Sequence, residues 1–361
     1  MKRRDFISKI GIGSTLLALP SVIANKSFAE TQQKKLGIAL VGLGYYSEFK
    51  LATALQETSN CYLAGIVTGT PEKTAKWKQQ FNIPDANCYT YSSFDSIINN
   101  KDIDIVYVVL PNSMHHEYVI RAAKAGKHVM CEKPMAVSVK ECQEMIAACK
   151  KAKVKLSIGY RLHFEPFNLE AARVGQKKEF GRVKIVETSM GFKIGDPDQW
   201  RLKKSLSGGG AMMDVGIYAI QGARYVTGEE PISVTAQEYK TDPIKFKEVD
   251  EIISWQMEFP SGIISNSLTS YASYVERLYI SAENGWLELR PAFGYGPIAG
   301  KTSNGELNLP IVNQQAFLMD NFAKCVVENR ESSVNGEEGL KDAKVIEAIY
   351  KSIKTKAKVM I

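Results

Sequence analysis

Histidine is scarce in this chain of 361 residues, which contains only four, and two of them are the adjacent His115 and His116. Its six cysteines form no CxxC pair. Because zinc and related metals need clusters of imidazole and thiolate ligands, we expect no metal site. Cys142 and Cys149 lie about 10 Å apart along one predicted helix, too far for a disulfide. We interpret the cysteines as buried thiols, which suits folding in a reducing compartment.

The chain also lacks a strong charge excess outside its N-terminal segment. Five basic residues and one acid give the first 29 residues a net charge of +4, which leaves +3 of the formal +7 for all the rest. Those remaining basic residues are scattered, so we predict no nucleic-acid partner. No later segment has the roughly 20 consecutive apolar residues of a membrane span. We also find no internal repeat and no low-complexity segment.

Residues 1–29 have the features of a twin-arginine signal peptide. Arg3 and Arg4 precede a modestly apolar stretch, and Ser27-Phe28-Ala29 forms a small-x-small cleavage site. The alternative is an N-terminal membrane anchor, but Lys9 and Pro20 interrupt the apolar run. No cysteine follows that run, which disfavours a lipoprotein. Twin-arginine export carries folded proteins, often with cofactor bound, so we expect a periplasmic protein with no membrane span after cleavage.

Strands alternate with helical stretches from residue 36 to residue 158. The predicted strands cover residues 37–41, 62–67, 105–110, 129–131 and 155–158, and a well-formed helix covers residues 137–151. This alternation predicts an α/β domain with a doubly wound parallel sheet, the Rossmann arrangement.

The pattern changes after residue 158. Closely spaced strands are predicted at residues 183–190, 232–239, 252–259, 263–270, 278–281 and 286–289, with helices at 211–227, 315–328 and 340–353. Residues 159–361 are therefore expected to form an α+β domain around a largely antiparallel sheet.

A glycine motif follows the first predicted strand and opens a helix. It runs Gly42-Leu43-Gly44-Tyr45-Tyr46-Ser47. Glycines allow a tight turn and close approach of a pyrophosphate, and the helix N-terminus supplies N–H groups and positive potential. Ser47 replaces the usual third glycine with another small residue. The alternative is a purely structural turn, but the position of the motif favours a dinucleotide site.

The second strand ends at Thr68-Gly69-Thr70-Pro71-Glu72-Lys73, without the carboxylate that usually holds the ribose hydroxyls of NAD. Thr68 stands at the strand end, and Lys73 follows one helical turn later. A missing carboxylate beside an ammonium favours a 2′-phosphate, so we predict NADP, with NAD as the alternative. Lys73 would otherwise be a surface lysine of the next helix.

Three further segments place polar side chains where such sheets bind ligands. Leu110-Pro111-Asn112-Ser113-Met114-His115 and Cys131-Glu132-Lys133-Pro134 each follow a predicted strand. Gly208-Gly209-Gly210 precedes a helix on which Asp214 and Tyr218 lie at i and i+4, on one face. The alternative for Lys133 is a solvated lysine in a turn. The alternative for Asp214 and Tyr218 is that they are polar core residues with hydrogen-bond partners inside the protein.

Together these segments resemble the Gfo/Idh/MocA oxidoreductases, and within them the glucose–fructose oxidoreductase type. The matching stretches are LPNSMHHEYVIRAAKAGKHVMCEKPM, GYRLHFEP, WRLKKSLSGGGAMMDVGIYAIQGARYVTGEEP and NGEEGLKDAKVIEAIY. The resemblance implies a Rossmann domain followed by an open-faced sheet domain that closes over a sugar and builds homodimers or homotetramers. It departs at residues 30–35, where that type carries a longer proline-rich arm.

The resemblance also implies roles for individual residues. Lys133 would contact substrate and nicotinamide, Tyr218 would accept the proton, and Asp214 would hold sugar hydroxyls. Positions that match residues lining the cofactor are Pro111, Asn112, His115, Glu132, Arg161, Trp200 and Arg201.

We therefore predict an exported, NADP-dependent sugar oxidoreductase that transfers hydride between aldose C1 and nicotinamide, with a second carbonyl sugar as acceptor. The alternatives are an aldose or dihydrodiol dehydrogenase with exchangeable NAD(P), and an NAD-dependent, redox-neutral glycosidase. A non-enzymatic sugar- or nucleotide-binding protein is disfavoured by the joint presence of Lys133, Asp214 and Tyr218.

Overall fold

Six parallel strands form the first sheet of the structure, a computed structural model that describes residues 34–361. The elements of this part are β1 (Leu36–Val41), β2 (Cys61–Val67), α1 (Pro71–Phe81), β3 (Cys88–Tyr89), β4 (Ile105–Val108), α2 (His115–Lys124), β5 (His128–Cys131), α3 (Val139–Ala152) and β6 (Leu156–Ile158). The strand order β3-β2-β1-β4-β5-β6 is that of the Rossmann fold. The predicted parallel sheet is confirmed, whereas the predicted leader at residues 1–29 lies outside the described residues.

Continuous apolar strands explain why this sheet is covered on both faces. All six residues of β1 and all four of β4 are buried, as expected for parallel strands between two helix layers. Among the covering helices, α3 begins where the Ser138 side chain accepts a hydrogen bond from Glu141 N–H. Strand order reverses between β1 and β4, so a crevice opens at their carboxyl ends.

Nine strands form a second, mostly antiparallel sheet. The elements of this part are α4 (Pro166–Gln176), β7 (Val183–Gly191), α5 (Lys204–Ser207), α6 (Ile217–Thr227), β8 (Ser233–Tyr239), β9 (Ile252–Glu258), β10 (Ile264–Ser270), β11 (Val275–Ala282), β12 (Gly285–Leu289), β13 (Gly300–Thr302), β14 (Gly305–Glu306), α7 (Gln314–Val327), α8 (Gly336–Thr355) and β15 (Val359–Met360). The order is β14-β13-β12-β11-β7-β10-β9-β8-β15, and β7 with β10 is the parallel pair. The predicted largely antiparallel sheet is confirmed.

One face of the second sheet packs on α6, and the other carries polar side chains. On the covered face, the Thr188 hydroxyl donates to the Ala219 carbonyl at 3.0 Å. On the open face, Arg277 forms ion pairs with Glu187 and Glu288. A shallow cavity of about 550 Å³ also lies on this open face. The two faces of the sheet therefore differ, because the apolar face packs against helices and the polar face is open.

Two predicted helices differ from the structure in their local form. The helix predicted at residues 211–227 begins with a π-helical turn, Met212–Gly216, and continues as α6. Gly216 lies against Thr269, whose Cγ2 would be 3.2 Å from a Cβ, so the turn packs closely on β10. The last helix begins at residue 336 instead of 340 because Asn335 caps it by accepting from Glu338 N–H at 3.2 Å.

The predicted boundary at residue 158 coincides with the end of the first sheet, but the chain returns to that sheet near its C-terminus. Ile158 N–H donates to the Val334 carbonyl at 2.7 Å, and the Ser157 and Ser332 hydroxyls lie 3.0 Å apart. Residues 34–361 accordingly form one compact unit. Within that unit, no helix has the length and apolarity needed to cross a bilayer.

A buried ion cluster ties α6 to α8. The Arg224 side chain is only 2% exposed, and its Nη1 donates to Asp342 Oδ1 at 2.6 Å. Glu230 and Glu338 also pair with Arg224, while Gln221 donates to the second Asp342 oxygen at 2.7 Å. Removing a single partner would leave charge buried without full compensation.

We expect Asp342→Ala to lower the free energy of unfolding by about 3 kcal/mol, because it takes the most buried carboxylate from Arg224. Urea denaturation at neutral pH measures this loss. The control, Glu337→Gln, breaks the exposed pair with Lys150 and should cost less than about 1 kcal/mol. Equal losses in the two variants would show that the Arg224 cluster does not stabilise the fold beyond a surface pair.

Candidate active site

The glycine loop after β1 forms the floor of a cleft. Gly42 has φ +93°, and a Cβ there would lie 2.4 Å from the Val109 carbonyl oxygen, so a side chain does not fit. A Cβ on Gly44, by contrast, would meet no heavy atom within 4 Å. The buried Ser47 hydroxyl donates to the Gly42 carbonyl and closes the loop. Open space above Gly44 is what a pyrophosphate needs in this motif.

The cleft has a volume of about 690 Å³ and runs along the carboxyl ends of β1, β2, β4 and β5 to loop and helix residues of the second domain. The predicted site residues that line it are Gly42, Leu43, Gly44, Tyr45, Tyr46, Thr68, Gly69, Thr70, Lys73, Leu110, Pro111, Asn112, Glu132, Lys133, Trp200, Arg201, Asp214 and Tyr218. The structure thus brings together residues that lie up to 176 positions apart in the sequence, from Gly42 to Tyr218.

A lysine marks the outer end of the cleft beside β2. Lys73 Nζ donates to the Leu43 carbonyl at 2.8 Å, which holds the ammonium beside the glycine loop. The Thr68 hydroxyl accepts a hydrogen bond from Thr70 N–H at 3.2 Å, so its oxygen already has a partner in the same turn. No carboxylate lines this end among the described residues, since the acids in the cleft wall are Glu132 and Asp214. This end is suited to a phosphate group.

Asp214 is the centre of a charged network at the inner end. Lys133 Nζ donates to the Asp214 carbonyl at 2.5 Å and lies 3.3 Å from its Oδ1. The other carboxylate oxygen accepts from Arg201 Nε at 3.0 Å and from the Tyr271 hydroxyl at 2.9 Å. Burial opposes ionisation, but Arg201, Lys133 and the Tyr271 hydrogen bond outweigh it and lower the pKa of Asp214 to about 2. Asp214 is therefore a carboxylate at neutral pH.

Lys133 remains an ammonium in this setting. Burial acts to lower the pKa of Lys133, yet the neighbouring Tyr218 and Asp214 oxygens together raise it above its usual value. Behind it, the Tyr107 hydroxyl donates to buried Glu132 at 2.6 Å, and burial raises the pKa of Glu132. The inner end thus presents a fixed cation and a fixed anion side by side.

Tyr218 lies between cations and an aromatic ring. Its ring centre is 4.7 Å from Lys133 Nζ and 5.1 Å from Arg161 Cζ, and the Phe293 ring stacks at 6.4 Å. The side chain is buried yet lines the cleft. Two cations therefore lie close to the Tyr218 ring.

His115 and Arg161, both predicted to line the cofactor, lie behind the cleft wall. The His115 ring nitrogens are each 2.9 Å from a carbonyl oxygen, one of Pro134 and one of Leu110, and burial lowers the pKa of this histidine. Arg161 is 1% exposed and donates to backbone and amide oxygens near residue 294. Both side chains hold the loops that form the site.

Sequence reasoning missed four residues that complete the site. Tyr91 and Tyr295 line the cleft, Tyr271 holds Asp214, and Lys50 Nζ lies 4.8 Å from the Tyr295 ring centre. Tyr295 carried a signal, because glycines flank it on both sides in the sequence. Tyr271 carried none, since its contact with Asp214 bridges 57 residues.

Two family profiles match this chain. Residues 36–160 match the Gfo/Idh/MocA oxidoreductase domain with an NAD-binding Rossmann fold, and residues 168–288 match a Gfo/Idh/MocA C-terminal domain. D-xylose 1-dehydrogenase (NADP(+)) 2 of Haloferax volcanii is 30% identical over 305 residues, which are 82% of this chain and 91% of that protein. The chain belongs to the Gfo/Idh/MocA family of oxidoreductases.

Other members of the Gfo/Idh/MocA family match over most of their length. The aldose–aldose oxidoreductase from Caulobacter crescentus, solved with glycerol, is 45% identical with a TM-score of 0.89, covering 91% of this chain and 100% of its own. D-xylose 1-dehydrogenase [NADP(+)] of Haloarcula marismortui is 27% identical over 334 residues, which are 90% of this chain and 92% of that protein.

The cleft fits the nicotinamide dinucleotide of a Gfo/Idh/MocA oxidoreductase. A pyrophosphate would lie in the open space over Gly44, the ribose end would lie near Lys73, and the reactive ring would lie near Lys133 at the far end. Among residues 34–361, no group of three His, Cys, Asp or Glu side chains is arranged to bind a metal ion.

Gly44→Ala should abolish nucleotide binding while leaving the fold intact, because its methyl group enters only the space meant for the phosphates. Calorimetric titration with NADP and a thermal melt measure the two effects. Gly42→Ala is the matched comparison, and it should also lower the melting temperature since its Cβ collides with backbone. Undiminished affinity in Gly44→Ala would place the pyrophosphate elsewhere.

Proposed function

We propose that the protein is an NADP-dependent sugar oxidoreductase that oxidises one aldose at C1 and reduces a second carbonyl sugar at the same site. The observation that carries this proposal is the joint placement of Lys133, ionised Asp214 and Tyr218 at the inner end of the nucleotide cleft. The Caulobacter crescentus relative, an aldose–aldose oxidoreductase, and the NADP-dependent D-xylose dehydrogenases support the substrate class.

Each of these side chains has one task in the proposed reaction. The Asp214 carboxylate accepts hydrogen bonds from sugar hydroxyls and orients the ring of the sugar. The Lys133 ammonium donates to the oxygen on C1 and stabilises negative charge there. Tyr218 takes the proton of the C1 hydroxyl during oxidation and returns a proton during reduction. Bound nicotinamide supplies the hydride acceptor in the first half of the cycle and the hydride donor in the second.

The overall reaction is balanced without any further oxidant. One aldose loses two hydrogens and becomes a lactone, and a second aldose gains two hydrogens and becomes an alditol. A dinucleotide that stays bound would return to its starting state after each pair of sugars. Trp200 and Arg201 from the second domain also line the cleft.

NADP is favoured over NAD at the outer end of the cleft. Lys73 is held beside the glycine loop, and no carboxylate stands at the end of β2 in the described residues. This arrangement suits a 2′-phosphate and disfavours free ribose hydroxyls. Both D-xylose dehydrogenase relatives carry NADP(+) in their names.

Incubation with an aldose and no added cofactor should yield lactone and alditol in equal amounts, and Tyr218→Phe should lower this turnover at least about 100-fold. Product analysis by mass spectrometry measures both. Tyr274→Phe removes the hydroxyl of an 80% exposed tyrosine and should leave turnover unchanged.

Other products would point to the alternative functions. Reduction of added NADP without alditol would indicate a dehydrogenase with exchangeable cofactor. Cleavage of a glycoside without net redox change would indicate a redox-neutral glycosidase. Full activity in Tyr218→Phe would refute the proton-transfer role.

We further propose that the protein is exported to the periplasm with its nucleotide bound. The twin arginines in residues 1–29 support export, and a cleft that spans from Lys73 to Tyr218 offers contacts along a whole dinucleotide. Retention for hours requires a Kd of roughly 0.1 nM, given an association rate of about 10⁶ M⁻¹s⁻¹. That affinity needs contacts over the full length of the ligand.

Protein released from the periplasm and then denatured should contain nearly one NADP(H) per chain, counted by mass spectrometry. The control variant Arg3→Lys/Arg4→Lys should remain in the cytoplasm, since export depends on the arginine pair. Empty exported protein would refute retention, and NAD in place of NADP would favour the glycosidase.

The open face of the second sheet is our proposed subunit contact. It carries the exposed Ile185 and Ile264 among polar side chains, and no helix of residues 34–361 covers it. Sedimentation of the native protein distinguishes the predicted homodimer or homotetramer from a monomer.

A further inference from the structure

The two carboxylate oxygens of Asp214 have different partners in the structure. Oδ2 accepts hydrogen bonds from Arg201 Nε at 3.0 Å and from the Tyr271 hydroxyl at 2.9 Å. Within residues 34–361 the donor beside Oδ1 is Lys133 Nζ at 3.3 Å, and that ammonium lies closer, at 2.5 Å, to the Asp214 carbonyl oxygen. Each carboxylate oxygen has two lone pairs. Oδ2 is therefore fully used by the protein, whereas Oδ1 can accept another hydrogen bond.

Tyr271 is fixed in place and does not line the cleft. It follows β10 directly, its N–H donates to the Glu251 carbonyl at 2.8 Å, and its own carbonyl accepts from Ile194 N–H at 2.9 Å. The residue is 1% exposed, and its ring meets the Phe192 ring edge-on at 5.2 Å. The Tyr271 hydroxyl is therefore held behind the site, where its hydrogen bond serves the Asp214 carboxylate and not a ligand.

We propose that Tyr271 is a positioning residue that occupies Oδ2 of Asp214 and so leaves Oδ1 to accept a hydrogen bond from the C2 hydroxyl of the sugar. This inference rests on the proposed function, in which Asp214 binds sugar hydroxyls and Lys133 contacts the oxygen on C1. Oδ1 is the carboxylate oxygen beside Lys133. The neighbours of C1 in an aldopyranose ring are C2 and the ring oxygen, and of these only C2 carries a hydroxyl. The C2 hydroxyl is thus the one that can reach Oδ1 while the C1 oxygen contacts Lys133.

The charge of the Asp214 carboxylate does not depend on Tyr271. Burial opposes ionisation of Asp214, and the charges of Arg201 and Lys133 lower its pKa more than the Tyr271 hydrogen bond does. Without the Tyr271 hydroxyl, Asp214 would still be ionised at neutral pH and paired with both cations. What would change is direction, because Oδ2 would regain a free lone pair and a sugar hydroxyl could then bind to either oxygen.

Tyr271→Phe removes a single oxygen atom and tests the proposal. D-xylose serves as the aldose, because two relatives are D-xylose dehydrogenases, and 2-deoxy-D-xylose lacks the hydroxyl that Oδ1 would bind. Single-turnover reduction of NADP-loaded protein, followed by nicotinamide absorbance, gives the half-saturating sugar concentration and the plateau rate separately. The matched control is Tyr89→Phe, which removes a buried hydroxyl that accepts from Asn100 at 2.8 Å and does not line the cleft.

The wild-type protein should need about tenfold more 2-deoxy-D-xylose than D-xylose for half-saturation, the loss expected for one hydrogen bond to a charged group. Tyr271→Phe should raise the half-saturating concentration of D-xylose roughly 5- to 10-fold and reduce the penalty for the missing hydroxyl to about twofold. 3-Deoxy-D-xylose keeps the C2 hydroxyl and should carry the same penalty in both proteins. The Kd for NADP should not change in Tyr271→Phe, and Tyr89→Phe should behave like the wild type.

An equal penalty for 2-deoxy-D-xylose in wild type and Tyr271→Phe would overturn the inference, since Tyr271 would then have no part in recognition of C2. Weaker binding of NADP in Tyr271→Phe would overturn it as well, because the hydroxyl would then support the whole cleft.

Calorimetric titration with 1,5-anhydroxylitol separates this inference from the proposed function, since the analogue has no C1 hydroxyl to oxidise. If the wild type reduces no NADP yet binds the analogue 5- to 10-fold more tightly than Tyr271→Phe does, the proposed reaction fails and the positioning role stands. Equal affinity of the two proteins for the analogue would refute the positioning role, whatever the rates with D-xylose show.

Discussion

The ion pair between Lys133 and Asp214 is the interaction on which the rest of the site depends. Lys133 follows the fifth strand of the first sheet, and Asp214 lies on the π-helical turn that packs on the second sheet. Their side chains are only 11% and 16% exposed, so either charge without the other would be poorly solvated and costly to bury. Arg201 and Tyr271 both donate hydrogen bonds to the same Asp214 carboxylate. The pair therefore sets the relative placement of both halves of the cleft.

The charges of the inner cleft do not cancel, and this imbalance has a chemical consequence. Lys133 and Arg201 are cations there and Arg161 lies behind the wall, whereas Asp214 is the ionised acid with a lowered pKa. Fixed positive charge in a partly dry cleft stabilises an oxyanion more strongly than water does. A sugar hydroxyl that loses its proton, or a carbonyl oxygen that gains electron density, is stabilised by the same arrangement. One site can thus serve oxidation and reduction.

Local signals made much of this structure predictable. Buried strands followed by glycine, and a lysine at a strand end, need no distant contact to be recognised, so the parallel sheet and Lys133 followed from the sequence. The contribution of Tyr271 did not, because strand pairing of the second sheet decides its neighbours. The start of α8 was placed four residues too late, although Asn335 and Glu338 have the spacing of a helix cap. The π-helical turn could not be predicted, because it depends on packing against β10 and no sequence periodicity distinguishes it from an α-helix.

His115 and Arg161 show what a motif match can and cannot specify. Each belongs to a stretch that resembles cofactor-lining segments, yet each lies one layer behind the wall. His115 joins the carbonyls of Leu110 and Pro134, and so couples the loop after β4 to the loop that bears Lys133. A motif match shows that a segment lies at the site. It does not show which residues of that segment line the cleft and which lie behind the lining residues. Residues of the supporting layer can therefore tune geometry and charge without touching a ligand.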